Sequence, residues 1–380
     1  MHFCVFSTQQ HWGGGETLLW TIAQQLGALG HQVSWVVRSG SEVADFVDSN
    51  GGHIAFQSAT RLGGPSAWRQ LARAVAEQSP DVLLLNDTHA VVMAASCYLM
   101  LPKPRPVRLA YKHTVFPMRS RLKYRWLCDK LVCVSEAARD VVVQGGLSPD
   151  RTRVIHGGCP VPIASELDKR GQNNLRDELG IRDDEKLLVS VGNLLDCKGH
   201  ADLVQAVEKL RERYRVRLVI AGQGQERPSL EKQIRQLGLD GRDSKSRITA
   251  QLLGYRSDAE ALLHAADLVV HPSHAEGLSL VLIQAQMMAK PIVATPVGGA
   301  VEVLGAENGD RPGTWLANPR DPISLADAIA RALEQLSHSK QEIGSRLERV
   351  AKDTRERFSI QTHASALASL AQELRGGSPL

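Results

Sequence analysis

The chain's 380 residues, 43% hydrophobic and 23% charged, suit a soluble globular protein of two domains, each with its own core; no stretch approaches the roughly 20 apolar residues that span a bilayer. Its 45 basic and 41 acidic residues leave a net charge of +4, too mild by itself to mark a nucleic-acid binder. The six cysteines, at 4, 97, 128, 133, 159 and 197, make no C-x-x-C pair and no Cys/His metal spacing, and Met1 is followed by no signal-peptide pattern, so free thiols and a cytoplasmic location are expected.

In chain order, residues 1–7 read as a strand, His11-Trp12-Gly13-Gly14-Gly15-Glu16 as a loop, and 17–29 as a helix stopped by Gly30. A strand at 32–37 follows at once, so the opening is a βαβ unit and predicts a parallel sheet. The glycine run either brings backbone N–H groups close to a ligand or makes a plain strand-to-helix turn. Further strands are predicted at 53–57, 82–85, 107–111 and 131–134, with helices notably at 66–78 and 87–99, and a stiff proline connector at 102–106.

Between Lys103 and Lys130, Arg105, Arg108, Lys112, Arg119, Arg121, Lys123 and Arg125 are opposed by Asp129 alone and interleaved with Phe116, Tyr124 and Trp126. The stretch reads as a solvated basic face, as a surface for anionic lipid or a phosphorylated acceptor, or, least well, as a nucleic-acid contact. Residues 158–183, rich in Pro, Gly, Asn and charge, read as a linker.

The second half repeats the strand–loop–helix plan: strands at 186–192, 217–222 and 248–254, helices to about 212 and at 230–237, a polar loop at 240–247, and amphipathic helices at 325–336, 343–352 and 360–374. At its centre Leu268-Val269-Val270 fits a buried strand, Pro272 to Gly277 a turn, and a helix opens near Leu278, before a strand at 291–295 and the tight turn Gly298-Gly299. The first N–H groups of that helix would face an anion, while Glu276 in the same mouth suits neutral hydroxyls, so a ligand part phosphate and part sugar is expected. Lys198, in the loop after a buried strand, reads as a cation for a diphosphate or as a surface lysine. His113 and the pair Tyr255 and Arg256 each have a structural alternative, and His271 with His274 lacks a third metal ligand nearby.

The run from His271 to Gly299 resembles the signature of retaining glycosyltransferases of the GT-B fold, in the large family 4, whose pattern is E-G-[FL]-[GS]-L-x-x-x-E-A followed by P-[IV]-[IV]-A-T-x-x-G-G. Here the first glutamate is Glu276 and the second position is Gln284. The family's G-R-x-x-x-x-K-G loop keeps Lys198-Gly199 but carries Asn193 for the arginine, G-G-x-E recurs at 13–16, and His156-Gly157-Gly158 replaces a usual Pro-Asn-Gly.

The resemblance implies an α/β protein of GT-B fold, two Rossmann-like β/α/β domains facing a cleft with a C-terminal helix crossing back to the first. Its domains are 1–160 (acceptor), a linker at 161–183, 184–357 (sugar nucleotide) and 358–380. It implies sugar transfer from a nucleotide-diphosphate sugar to a glycan or lipid-linked hydroxyl with retention, in lipopolysaccharide or surface polysaccharide synthesis. Glu276, Lys198 and His113 are the catalytic candidates. Donor binding falls to Gly14, Gly15, Asn193, Lys198, Tyr255, Arg256, Glu276, Gly277, Leu278, Ser279, Leu280 and Gln284, with no metal and no cofactor beyond the sugar nucleotide. Lys112, Arg119, Arg121, Lys123, Arg125 and Trp126 are the acceptor or membrane surface, giving a peripheral protein at the anionic inner face and no nucleic-acid partner. A sugar-nucleotide epimerase and a binding-only pseudo-enzyme are the alternatives, the latter because of Asn193 and Gln284.

Overall fold

Short runs such as Val82–Leu85, all four residues buried, are apolar on both faces and can persist only where helices cover both sides of a sheet. The computed structural model, which describes residues 1–58, 64–118, 120–163, 172–241, 247–305 and 313–376, assembles them into two parallel sheets. The first contains β1 (His2–Ser7), β2 (Gln32–Arg38), β3 (Ile54–Ser58), β4 (Val82–Leu85), β5 (Val107–Lys112), β6 (Lys130–Cys133) and β7 (Thr152–Val154), in the order 3-2-1-4-5-6-7. The second contains β8 (Lys186–Val191), β9 (Val216–Ala221), β10 (Ile248–Gly254), β11 (Leu268–His271), β12 (Ile292–Ala294) and β13 (Thr314–Leu316), in the order 10-9-8-11-12-13. The strand order reverses between β1 and β4 and between β8 and β11, where the carboxyl ends of parallel strands leave a crevice for ligand. This is the GT-B arrangement of two Rossmann-like domains.

The chain divides into two compact units, Met1–Pro160 with Phe358–Leu380, and Val161–Arg357. In the N-terminal unit the last helix, Ile360–Gly376, packs on the helix Gly14–Ala28. Its buried His363 bonds through Nδ1 to the His156 carbonyl at 2.7 Å and through Nε2 to the Tyr111 hydroxyl at 3.1 Å. Gly158 lies so close to this returning segment that a Cβ would sit 2.8 Å from the Ser359 carbonyl oxygen. Residues 156–158 thus dock the C-terminal segment through a backbone carbonyl and through Gly158, a glycine the family pattern shares.

In the C-terminal unit, part of the stretch expected to be linker is helical. Gln172–Glu178 forms a helix whose Arg176 pairs with Asp267 at 3.1 Å, and Leu175, Leu179 and Ile181 are buried. Leu175 in the helix and Leu179 and Ile181 just after it anchor it to the unit. Residues 164–171 and 242–246, which fall within the expected linker and polar loop, lie outside the described residues. No described helix is long and apolar enough to cross a membrane.

Candidate functional site

In the C-terminal unit the loop after β8 reaches the turn after β11 because Gly199 permits it. Its φ is +67°, and an added Cβ would lie 2.0 Å from the Pro272 carbonyl oxygen. That approach sets Lys198 Nζ 2.5 Å from Glu276 Oε1. The same oxygen accepts from Ser273 Oγ at 2.9 Å and lies 3.0 Å from His271 Nε2. Glu276 is only 6% exposed. Burial pushes its carboxyl up, but the hydrogen bond and charge of His271 and then the Lys198 ammonium outweigh it and take the pKa down to about 2. The site therefore holds an ionised, oriented carboxylate.

The helix that follows, Leu280–Met287, opens two residues later than expected, because Ser279 caps it by accepting from the Leu282 N–H at 3.3 Å. Gly277 and Leu278 belong to the loop before it, and the other N–H groups of its first turn have no acceptor within the helix. Beneath the Lys198 loop, buried His200 lies 3.4 Å from Ser190 Oγ through Nδ1, and its Nε2 faces the Gly192 backbone. Burial, with His271 and Lys198 nearby, lowers this imidazole to about 4, so it is neutral at pH 7. His274 bonds instead to Asp202 at 2.7 Å. Among the described residues no group of three or more His, Cys, Asp or Glu is placed to hold a metal.

Asn193 is exposed on the loop. Gln284 donates through its amide to Glu260 Oε1 at 2.9 Å, a carboxylate that no motif pointed to. Tyr255 is 70% exposed at the end of β10. Arg256 is engaged by two acidic residues. Its guanidinium bonds twice to Asp258 and once to Glu178, each at 2.8 Å, so it ties the helix Gln172–Glu178 to this loop.

In the N-terminal unit Gly13 is the N-cap of Gly14–Ala28, so Gly14 and Gly15 form the first helical turn and not a loop. Room explains the neighbouring glycines. A Cβ on Gly13 would meet Glu16 Oε2 at 3.2 Å, and one on Gly15 the His113 ring at 3.3 Å. Glu16, 7% exposed, accepts at Oε1 from Asn86 Nδ2 at 2.6 Å; the same amide nitrogen lies 3.2 Å from Ser7 Oγ, and Asn86 Oδ1 lies 2.8 Å from His113 Nε2. Asn86 is held between β4 and the helix Thr88–Tyr98 by Asp87, which caps that helix and also bonds the Thr8 N–H and hydroxyl, each at 2.8 Å. Burial, then the charge of His363, lowers half-buried His113 to about 4, and its ring stacks on Tyr111 with centroids 5.4 Å apart. Burial raises the Glu16 carboxyl above its ordinary range despite the hydrogen bonds that oppose it.

The basic stretch is narrower than its sequence implies. Lys112 turns back to the Phe116 carbonyl at 2.6 Å and Thr114 at 3.2 Å, Arg108 pairs with Asp129, and Lys130 bonds the Asp150 carbonyl. Arg119 lies outside the described residues. What remains outward is the helix Arg121–Trp126, with Leu122 58% and Trp126 65% exposed one turn apart, beside Arg121, Lys123 and Arg125. The Arg125 guanidinium lies 5.1 Å from the Trp126 ring centroid.

Asn86, Ser273 and His200 were not singled out in the sequence, and Glu16 and His271 were given no part in the site. Asn86 did carry a signal, being the polar residue that directly ends an apolar strand. Ser273 and His271 meet Glu276 within five residues of sequence, where the turn, not a motif, brings them together, whereas Glu16 depends on Asn86 70 residues away.

Two family profiles match the chain: one described as Glycosyl transferases group 1 over residues 171–349, the other as Glycosyltransferase Family 4 over residues 12–161. A D-inositol 3-phosphate glycosyltransferase of Xylanimonas cellulosilytica is 31% identical over 286 residues, 72% of this chain and 61% of that protein. The lipopolysaccharide glucosyltransferase WaaG of Escherichia coli K12 is 26% identical over 233 residues, 60% of this chain and 57% of that protein. The matches span between half and about three fifths of the length of these curated relatives. Among solved structures, Anabaena Alr3699/HepE in complex with UDP-glucose superposes with a TM-score of 0.79 at 22% identity, covering 98% of this chain and all of that one.

Proposed function

Since the chain belongs to the group 1 glycosyl transferases, family 4 of the GT-B fold, we propose that it moves a sugar from a nucleotide-diphosphate sugar to a hydroxyl of a glycan or lipid-linked acceptor, with retention of configuration. The observation that carries this reading is the Lys198–Glu276 pair set before the helix Leu280–Met287. The donor diphosphate lies at the start of that helix, beside the Lys198 ammonium, and Glu276 bonds sugar hydroxyls. As the glycosidic bond breaks, charge grows on the leaving phosphate, and the lysine with the oriented N–H groups stabilises it more in the transition state than in the ground state. These groups supply the positive charge the step needs, so no metal is invoked. The acceptor hydroxyl arrives on the face the phosphate leaves, and neither a protein nucleophile nor a general base is assigned. His113, within the N-terminal unit, is read as a sugar-contacting residue.

The WaaG relative, named for lipopolysaccharide, favours an acceptor in lipopolysaccharide or surface polysaccharide synthesis. Exposed Leu122 and Trp126 beside Arg121, Lys123 and Arg125 support peripheral binding of a cytoplasmic protein to an anionic inner membrane face. Sedimentation with anionic and neutral vesicles tests this, and equal partitioning into both, or into neither, removes it.

A thermal-shift panel with UDP-, GDP-, dTDP- and ADP-sugars, with NAD as control, tests the central reading. A ligand at a hundredfold excess over its Kd raises stability by about 2.7 kcal/mol. A shift with one nucleotide class, followed by acceptor-dependent turnover, is expected; no shift with any of them overturns the proposal. A second reading, a protein that binds the sugar nucleotide without turnover, is favoured by exposed Asn193 in place of an arginine and by the engagement of Gln284 with Glu260. A shift without turnover for any acceptor selects it.

A further inference from the structure

Glu16, Asn86 and His113 come from three elements of the N-terminal unit and form one hydrogen-bonded chain in which each link has a direction. Asn86 offers two donors on Nδ2 and an acceptor at Oδ1. Nδ2 lies 2.6 Å from a Glu16 oxygen and 3.2 Å from the Ser7 hydroxyl. The reverse orientation would set the amide carbonyl against a carboxylate. Oδ1 therefore faces His113 Nε2 at 2.8 Å, and an amide oxygen can only accept.

We propose that Glu16 is a positioning residue: through Asn86 it holds His113 in the tautomer with the proton on Nε2, leaving Nδ1 to accept a hydrogen bond from a substrate hydroxyl. This rests on the reading that His113 contacts the sugar. A neutral imidazole carries one N–H, so a proton held on Nε2 makes Nδ1 an acceptor. Such a nitrogen prefers a group that can donate, which sugar hydroxyls do and phosphate oxygens do not.

The chemistry requires a carboxylate at position 16. Glu16 Oε1 serves Asn86, while its carboxylate also accepts from the backbone N–H groups of Gly13 and of its own residue at the start of the helix. The tight Gly13 contact with Oε2 places that oxygen on the backbone side. Only a carboxylate presents acceptors in both directions. An amide of the same shape would turn its oxygen to the backbone donors and its NH2 toward Asn86. Asn86 would then flip and present its own NH2 to His113, driving the imidazole into the opposite tautomer.

The test is made on the full chain labelled with nitrogen-15, reading the two His113 ring nitrogens by long-range proton–nitrogen correlation. In the wild type Nε2 should show the protonated shift and Nδ1 the bare one. Glu16→Gln should reverse or mix them, with kcat lowered by about tenfold or more and donor KM little changed. Adding Asn86→Asp restores an acceptor for both neighbours, so the double variant should recover the wild-type tautomer and most of kcat. An unchanged tautomer in Glu16→Gln, or a restored tautomer without recovered kcat, overturns the proposal. The nitrogen shifts need no substrate. A wild type without turnover would therefore count against the sugar-transfer reading, leaving the orientation of His113 to be decided by the shifts.

Discussion

Glu16 and Glu276 are matched in setting and shifted in opposite directions. Each follows a strand at the mouth of a helix, and they are 7% and 6% exposed. Burial raises both, but Glu16 is answered by neutral Asn86 and backbone N–H groups and stays raised, while Glu276 is answered by His271 and Lys198 and falls to about 2. Position in the fold does not set the electrostatics of such a carboxylate; its partners do. The C-terminal unit thus presents charge, which suits a diphosphate sugar. The N-terminal unit presents a directional chain of hydrogen bonds from Glu16 through Asn86 to His113.

The largest expected effect is on turnover. Glu276→Gln removes the oriented charge and should lower kcat by about 10²- to 10³-fold. Turnover close to wild type in a steady-state assay would take Glu276 out of the mechanism.

Stability should separate the two glutamates by the size of the effect. Glu276→Gln leaves the Lys198 ammonium facing a neutral amide, on the order of 3 kcal/mol destabilising. Glu16→Gln removes a carboxylate that burial disfavours, so at pH 8 its loss should be smaller than that of Glu276→Gln. Urea unfolding of both variants checks this, and equal losses would mean that burial does not disfavour the Glu16 carboxylate.

The acid limb sharpens the same contrast. The Glu276 carboxyl falls from its ordinary 4.5 to about 2, so between those values the unfolded chain binds the proton more readily. Its contribution is present above about 4.5 and is lost as pH falls toward 2. Glu16 runs the other way: its contribution is present below its ordinary value and is lost as pH rises through the raised one. Melting temperature against pH should therefore fall less steeply on the acid side in Glu276→Gln than in the wild type. Parallel curves would show that the Glu276 titration is not perturbed in the fold.

The smallest effect concerns the ribose. Gln284→Glu would bring a second carboxylate against Glu260, where the amide now donates at 2.9 Å. Mutual repulsion should weaken nucleotide binding several-fold, and the ratio of Kd for a nucleotide and its 2′-deoxy analogue should change. A constant ratio would mean that position 284 does not read the ribose.

Much of this was legible in the residues. The βαβ opening, the apolar strand runs, the Glu276 mouth with its helix and the Lys198 loop all rest on local periodicity and on chemistry confined to a few consecutive residues. Spacing did not announce which partners the cations would take, near or far in sequence. Arg256 bonds Asp258 two residues on and Glu178 far back, and Lys112 turns back on the Phe116 carbonyl four residues on. The linker hid a helix because Leu175 and Leu179 find their apolar partners only in the folded unit.

The sequence by itself determined the fold class, because strand and helix periods and glycine punctuation are local properties of the backbone. Only the tertiary structure decided which charges survive in it. A carboxylate's ionisation depends on groups within a few ångströms, and the chain brings Lys198 to Glu276 and Asn86 to Glu16 across 78 and 70 residues of sequence.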